Sequence, residues 1–158
     1  MIVPSQALSR LGGLTVGPGG FIDIAQNAKK VVFCGILAAK GVRLHTGDGR
    51  LRMLQQGAVK KGVRQVAQIT YSGPQALLRG QEVLYLTERA SFRLTAGGVE
   101  LFEVAPGIDL QRDVLDQMAF APQVAADLAV MDAAHFQAVA PSAARPRSAA
   151  CMESVPAP

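Results

Sequence analysis

The strongest pattern of hydrophobic positions is a continuous apolar run, Val31-Val32-Phe33-Cys34-Gly35-Ile36-Leu37. It has strand length, and both of its faces would be buried, which predicts a central strand of an α/β sheet. Just before it, Phe21-Ile22-Asp23-Ile24-Ala25-Gln26-Asn27-Ala28 places apolar residues at helical spacing, and Lys29 and Lys30 suit a helix C-terminus. The spacing predicts a short helix, although Ile22 and Ile24 also fit a strand. Residues 41–57 read as a hairpin: Val42 and Leu44 alternate with Arg43 and His45, Gly47-Asp48-Gly49 makes the turn, and Leu51, Met53 and Gln55 alternate on the return.

Val63, Val66 and Ile69 suggest another strand, ended by Ser72-Gly73-Pro74, with a helical turn or loop over 75–79. Residues 82–87 form a third strand. Residues 90–94 and 99–104 alternate with period two and meet at Thr95-Ala96-Gly97-Gly98, a second hairpin. After Pro106-Gly107, Asp109 is a plausible N-cap for a helix over 110–118, with Leu110, Val114, Leu115 and Met118 on one side. From about residue 138 the composition shifts to Ala, Pro, Ser and Arg, and four of the nine prolines fall there. A domain over 1–137 and a flexible tail over 138–158 are expected.

Composition narrows the classes. The 158 residues suffice for one domain with a hydrophobic core, and 49% apolar with 18% charged residues is ordinary for a soluble globular protein. No apolar run approaches the ~20 residues that span a bilayer, so no membrane partner is expected. Met1-Ile2-Val3-Pro4-Ser5 shows no secretory pattern, and two cysteines are too few for a disulfide framework. Cys34 reads as a buried thiol and Cys151 as a tail residue; a reducing, cytoplasmic setting fits. Residues 29–64 hold nine Lys/Arg and one acid, Asp48. That excess either attracts a polyanion such as a phosphorylated cofactor or is a solvated hairpin face. Nucleic acid is not an expected partner, because aromatics are 5% and Trp is absent.

Several chemistries fail on residue type. A serine-type triad needs a placed histidine, and His45 and His135 read as surface residues outside any nucleophile turn. Two distant Cys and two distant His do not make a zinc site, so no metal is expected. Gly17-Pro18-Gly19-Gly20 is a turn that lacks the Walker lysine and the rest of a dinucleotide fingerprint. Such a bend can nonetheless converge backbone N–H groups on an anionic oxygen without side-chain obstruction.

The run from Gly17-Pro18-Gly19-Gly20-Phe21 through Val32-Phe33-Cys34-Gly35 resembles family I coenzyme A transferases, most of all the acetate or short-chain acyl-CoA:3-oxoacid type. Four more segments match in order: Val66-Ala67-Gln68-Ile69-Thr70-Tyr71-Ser72-Gly73, the run from Val83 through Thr87-Glu88-Arg89-Ala90 to Leu94, Glu103-Val104-Ala105-Pro106-Gly107-Ile108-Asp109-Leu110, and Arg112-Asp113-Val114-Leu115. A last match surrounds Met131-Asp132 and ends near Phe136. The resemblance implies the C-terminal part of such an enzyme: an α/β fold with a mainly parallel sheet, flanking helices and β-hairpins, truncated. It implies a coenzyme A thioester as substrate, no permanently bound cofactor, and transfer through a glutamyl-CoA thioester formed by a nucleophilic glutamate. It also implies short-chain acyl-CoA and carboxylic acids as ligands, in short-chain fatty acid or ketone body metabolism. Gly19 and Gly20 are the implied oxyanion or carboxylate donors. Glu88 is implied near the same cleft, as a positioning or ion-paired residue.

One departure changes the functional expectation. In relatives the nucleophile sits in a Glu-x-Gly-x-x-Gly-like or Glu-Asn-Gly context well before the glycine turn. This chain begins a short way before that turn, and none of its five glutamates, Glu82, Glu88, Glu100, Glu103 and Glu153, has the required following residues. No catalytic residue is therefore expected in this chain. It is expected to be inactive alone, either as the product of a split or decayed gene or as a chain that pairs with a separate one carrying the glutamate. The alternative is a non-catalytic CoA-binding or assembly module. If residues 31–37 are a central strand whose neighbours lie elsewhere, an open edge and an apolar face would drive homo- or hetero-oligomerisation, or aggregation.

Overall fold

A computed structural model describes residues 10–11, 14–15, 20–64 and 69–137. The expected tail, Gly17 to Gly19 of the glycine turn and residues 65–68 lie outside the described residues. A short ladder pairs β1 (Arg10–Leu11) with β2 (Leu14–Thr15). Helix α1 (Phe21–Asn27) leads into β3 (Lys30–Cys34) and β4 (Ala38–Ala39). The hairpin β5 (Arg43–Gly47) and β6 (Arg50–Gln55) comes next, then β7 (Val59–Lys60), which pairs with β4. Helix α2 (Gly73–Leu78) precedes β8 (Glu82–Leu86), β9 (Ala90–Thr95), β10 (Gly98–Val104) and β11 (Gln123–Val130).

The main sheet has the order β11-β10-β9-β8-β3. It is mixed: β3–β8 and β10–β11 run parallel, whereas β8–β9 and β9–β10 are antiparallel. The α/β class, flanking helices and hairpins match the expectation. The two antiparallel pairings arise because tight turns join β8 to β9 and β9 to β10, which only antiparallel neighbours permit.

Register assigns the faces. Phe33 lies opposite Tyr85, Tyr85 opposite Phe92, and Phe92 opposite Leu101. Paired residues share a face, so this row is one surface of the sheet. Both large core clusters lie on it. One joins Ala25 of α1, Tyr71, Ala76 of α2 and Val83 with Phe21, Val31 and Phe33. The other joins Phe92, Leu101, Val104 and Val114 with Ile108, Leu115, Met118 and Phe120. Phe33 anchors the first, stacked on Tyr85 at 5.4 Å and edge-on to Tyr71 at 5.4 Å, geometries that aromatic quadrupoles favour. The opposite face carries the rows Val32–Leu84–Arg93–Glu100 and Cys34–Leu86–Ser91–Glu103. It is apolar beside β3 and polar farther along, where Arg93 pairs with Glu100 and lies over the Phe102 ring.

The hairpin turn is as read: Asp48 and Gly49 have φ of 53° and 70°, the doubly left-handed pair of a tight two-residue hairpin turn. Its inner face, Leu44 and Leu51, packs on Ala105 and Phe136. Ser72 caps α2 by accepting from the Gln75 N–H, with Pro74 in the first turn.

Four expectations need correction. The run 31–37 is not a doubly buried central strand: among the described strands β3 is an edge, paired only with β8, and its exposure alternates. For the same reason Cys34 is exposed rather than buried; it points to the uncovered face. Of the strand proposed around Val63, Val66 and Ile69, Val63 and Ile69 lie in no strand and Val66 is outside the described residues. The pairing partner that forms there is β7, because Gly57 lets the backbone come close to Ala39: a Cβ at Gly57 would sit 2.5 Å from the Ala39 carbonyl oxygen. The helix over 110–118 is a wide turn, Leu110–Val114, followed by a 3-10 turn, Leu115–Gln117. Its cap is as expected, since the Asp109 carboxylate accepts from the Arg112 N–H at 2.7 Å. The widening accompanies the burial of Asp113, whose carboxylate turns back to accept from the Asp109 N–H at 3.1 Å.

Candidate functional site

The Thr87-Glu88-Arg89 segment joins β8 to β9 at the carboxyl end of the parallel strands β3 and β8. This is the end where open α/β sheets place ligands. Thr87 makes the turn. Its N–H and its hydroxyl both donate to the Ala90 carbonyl, at 3.0 and 2.7 Å, and the hydroxyl oxygen accepts from the Ala90 N–H at 3.0 Å. The turn so fixed directs Glu88 and Arg89 inward.

Both Glu88 oxygens are engaged. Oε2 accepts from the Leu37 N–H at 2.9 Å, just beyond β3, and Oε1 accepts from Arg89 Nε at 2.7 Å. Arg89 is fully buried, at 0% exposure. Its Nη1 donates to Gln56 Oε1 at 2.8 Å and to the Asp113 carbonyl at 2.9 Å. Gln56 in turn donates to Asp113 Oδ1 at 2.9 Å, and Arg112 grips both oxygens of the same carboxylate at 2.9 Å. The Arg112 hydrogen bonds are the main reason the Asp113 carboxyl titrates below its ordinary value; burial opposes them, while the Asp109 N–H and the charges of Arg112 and Arg89 add to them. The Glu88–Arg89 pair therefore ties four segments together: the loop after β3, the end of β6, the β8–β9 turn and the turn after Asp109.

Nearby, the Tyr85 hydroxyl is buried with no hydrogen-bond partner among the described residues. Burial, reinforced by Tyr71, pushes its phenol far above the ordinary range, so it stays neutral and acts as packing.

Of the residues implied by resemblance, Gly20 is exposed and stands at the N-cap of α1, where its carbonyl accepts from the Ile24 N–H at 3.0 Å. Phe21, the first helical residue, meets Phe33 near the end of β3 at 6.2 Å between ring centroids. The helix therefore runs back along the strand, and Gly20 lies at the same carboxyl end as Glu88. Gly19 is outside the described residues. His45 and His135 are both exposed. Among the described residues no cluster of three or more His, Cys, Asp or Glu is placed to hold a metal, and no helix is long and apolar enough to cross a membrane.

Three of the nine basic residues of segment 29–64 lie on the outer face of the β5–β6 hairpin. Arg43, His45, Arg50 and Arg52 point outward, opposite the buried Leu51. None of these arginines makes an ion pair among the described residues.

The sequence reading singled out Glu88 but not Arg89, Asp113 and Gln56 as a unit. A charged residue followed by apolar ones, as Asp113 is by Val114-Leu115, was the available signal. What could not be read is that residues 56, 89 and 113 converge.

No family model matches the chain. It is 47% identical over 123 residues to the acetate CoA-transferase YdiF of Escherichia coli O157:H7, a match covering 78% of this chain and 23% of that protein. It is 48% identical over 126 residues to the caffeate CoA-transferase of Acetobacterium woodii, covering 80% of this chain and 24% of the relative. The crystal structure of the E. coli O157:H7 acyl-CoA transferase YdiF, as a thioester complex with CoA, is similar at a TM-score of 0.75 and 46% identity, over 80% of this chain and 25% of that one. The chain thus spans about a quarter of the length of the relatives it matches.

Proposed function

Since the chain is homologous to CoA-transferases over about four fifths of its length, we propose that it supplies one part of such an enzyme. The enzyme moves CoA between a short-chain acyl-CoA and a carboxylic or 3-oxo acid, and its nucleophilic glutamate is carried by another polypeptide. In that reaction a glutamate carboxylate attacks the thioester carbonyl, the CoA thiolate leaves, and an acyl-glutamyl anhydride forms. The thiolate then attacks the glutamyl carbonyl and expels the carboxylic acid, leaving a glutamyl-CoA thioester. An incoming acid reverses the two steps. The chain needs no bound cofactor for this.

The observation that carries the reading is the state of Glu88. It lies in a matched segment at the carboxyl end of the sheet, and both its oxygens are already held, by Leu37 and Arg89. A carboxylate so engaged is a poor nucleophile and a good brace. Its role here is to position the loop after β3, while Gly19 and Gly20 offer N–H groups to the developing oxyanions. Residues 1–137 form the CoA-transferase part, and the setting is cytoplasmic.

A second reading, a CoA-binding or assembly module without catalysis, is favoured by one observation. The three outward arginines of the β5–β6 hairpin have no acidic partner among the described residues and suit a phosphorylated ligand. An exchange assay with acetyl-CoA and a 3-oxoacid separates the two. The transfer reading predicts no exchange by the chain alone and exchange once a glutamate-bearing partner is present. A CoA-dependent rise in melting temperature, with no exchange under either condition, selects the binding module.

A further inference from the structure

We infer that the edge of β3 left unpaired among the described residues is a docking edge for a β-strand of the polypeptide that supplies the rest of the CoA-transferase. This rests on the transfer reading and assigns the partner a place. The Glu82 N–H donates to the Lys29 carbonyl and the Gly35 N–H donates to the Leu86 carbonyl, both at 3.0 Å. Backbone groups alternate along a strand, so Val31 and Phe33 also face β8, whereas Lys30, Val32 and Cys34 turn their N–H and C=O groups outward. No described strand meets them.

The side chains beside this edge are uncovered too. Val32 is 43% exposed. Cys34 is exposed, and Leu84 and Leu86 beside it are half-covered. Parallel strands are normally covered on both faces, and here the apolar third of the second face lies on the parallel pair β3–β8, beside the open edge.

The other edge also exposes apolar side chains, Val124 at 44% and Val130 at 64%, but it is irregular and charged. The β10–β11 register jumps from Leu101↔Val124 to Glu103↔Ala129, and the intervening part of β11 exposes Asp127. Irregularity and charge are what protect an edge from pairing. β3, by contrast, is regular over five residues, with its one lysine already paired to Glu82 at 2.8 Å. The occupant follows from length. In YdiF the same segment, at a TM-score of 0.75, accounts for 25% of the chain, so the matched fold is built beside a remainder about three times its size.

Hydrogen exchange on the full chain, alone and co-expressed with the part of E. coli YdiF outside the matched segment, tests this. Alone, the amides of Lys30, Val32 and Cys34 should exchange fast while those of Val31 and Phe33 are protected. Co-expressed, a 1:1 complex should form in which those three amides slow by about tenfold or more, as paired strand amides do. Val32→Pro removes only an outward N–H, so it should abolish the complex and keep Phe33 protected. Val32→Lys should weaken the complex without touching the ladder. Protection of the three amides in the isolated chain, whether as a monomer or a symmetric dimer, overturns the proposal. So does recovery of the chain alone after co-expression, or a complex that Val32→Pro leaves intact. A complex that forms on this edge but exchanges no CoA sinks the transfer reading and leaves the docking edge standing.

Discussion

Replacing Arg89 by methionine removes the guanidinium that links Glu88, Gln56 and the Asp113 carbonyl but keeps an apolar side chain of similar reach. The lost contacts are the Nε bond to Glu88 and the two Nη1 bonds, to Gln56 and the Asp113 carbonyl, at 2.7–2.9 Å. Hydrogen bonds to charged groups contribute roughly 1.5–3 kcal/mol each. Against that sum, Arg89 Nη2 is buried with no partner among the described residues, and its removal returns about 1–3 kcal/mol of desolvation. The Glu88 side chain is 15% exposed, so water partly compensates it. The net loss should fall near the lower end of the range for breaking one side of a buried pair, about 3 kcal/mol. In urea unfolding with a slope of about 1.5 kcal/mol/M, the midpoint should drop by about 2 M with the slope unchanged. Arg89→Lys should recover little, because an ammonium cannot fork between Glu88 and Gln56. Arg93→Met, which breaks the exposed pair with Glu100, should cost less than about 1 kcal/mol. A loss below about 1 kcal/mol for Arg89→Met, or one no larger than for Arg93→Met, would refute the view that this guanidinium organises the carboxyl end of the sheet.

Other outcomes follow from the same contacts. Asp113 has a folded pKa below its unfolded value, so its stabilisation is complete above about pH 4 and is lost as pH falls through the depressed value. Asp113→Asn should flatten the acid limb of the stability–pH profile below about pH 4; an unchanged limb would count against the buried pairing. Gly57→Ala should destabilise by roughly 1–3 kcal/mol, because its Cβ meets backbone that cannot give way; thermal unfolding within error of wild type would contradict the close approach. Asp109→Ala should cost about 1 kcal/mol through loss of its cap to Arg112, readable in the same denaturant titration.

Much of the fold was legible because it is local. Asp48-Gly49 can hardly form anything but a tight turn, Ser72 and Asp109 are good caps, and the period-two runs 90–94 and 99–104 meet at Gly97-Gly98. Three things were not legible. The exposure of Cys34 depends on which neighbours flank β3, and an apolar run reads the same at an edge as in a centre. β11 has weak alternation, since Ala125, Ala126 and Ala129 carry little pattern, and it forms because β10 offers it a partner. The Arg89 network depends on contacts between residues 33 and 24 positions apart, which no local period encodes. The matched motifs did point to Thr87-Glu88-Arg89 as a segment, but the brace formed by Glu88 is visible only when Leu37 and Arg89 are seen to occupy its two oxygens.

The most direct test of the central claim is the intact mass of the full chain after incubation with acetyl-CoA and acetoacetate, followed by peptide mapping of its glutamates. The account predicts an unmodified mass and no loss of acetyl-CoA from the chain alone. A CoA-thioester adduct on any of Glu82, Glu88, Glu100, Glu103 or Glu153, formed and consumed with the substrates, would contradict it.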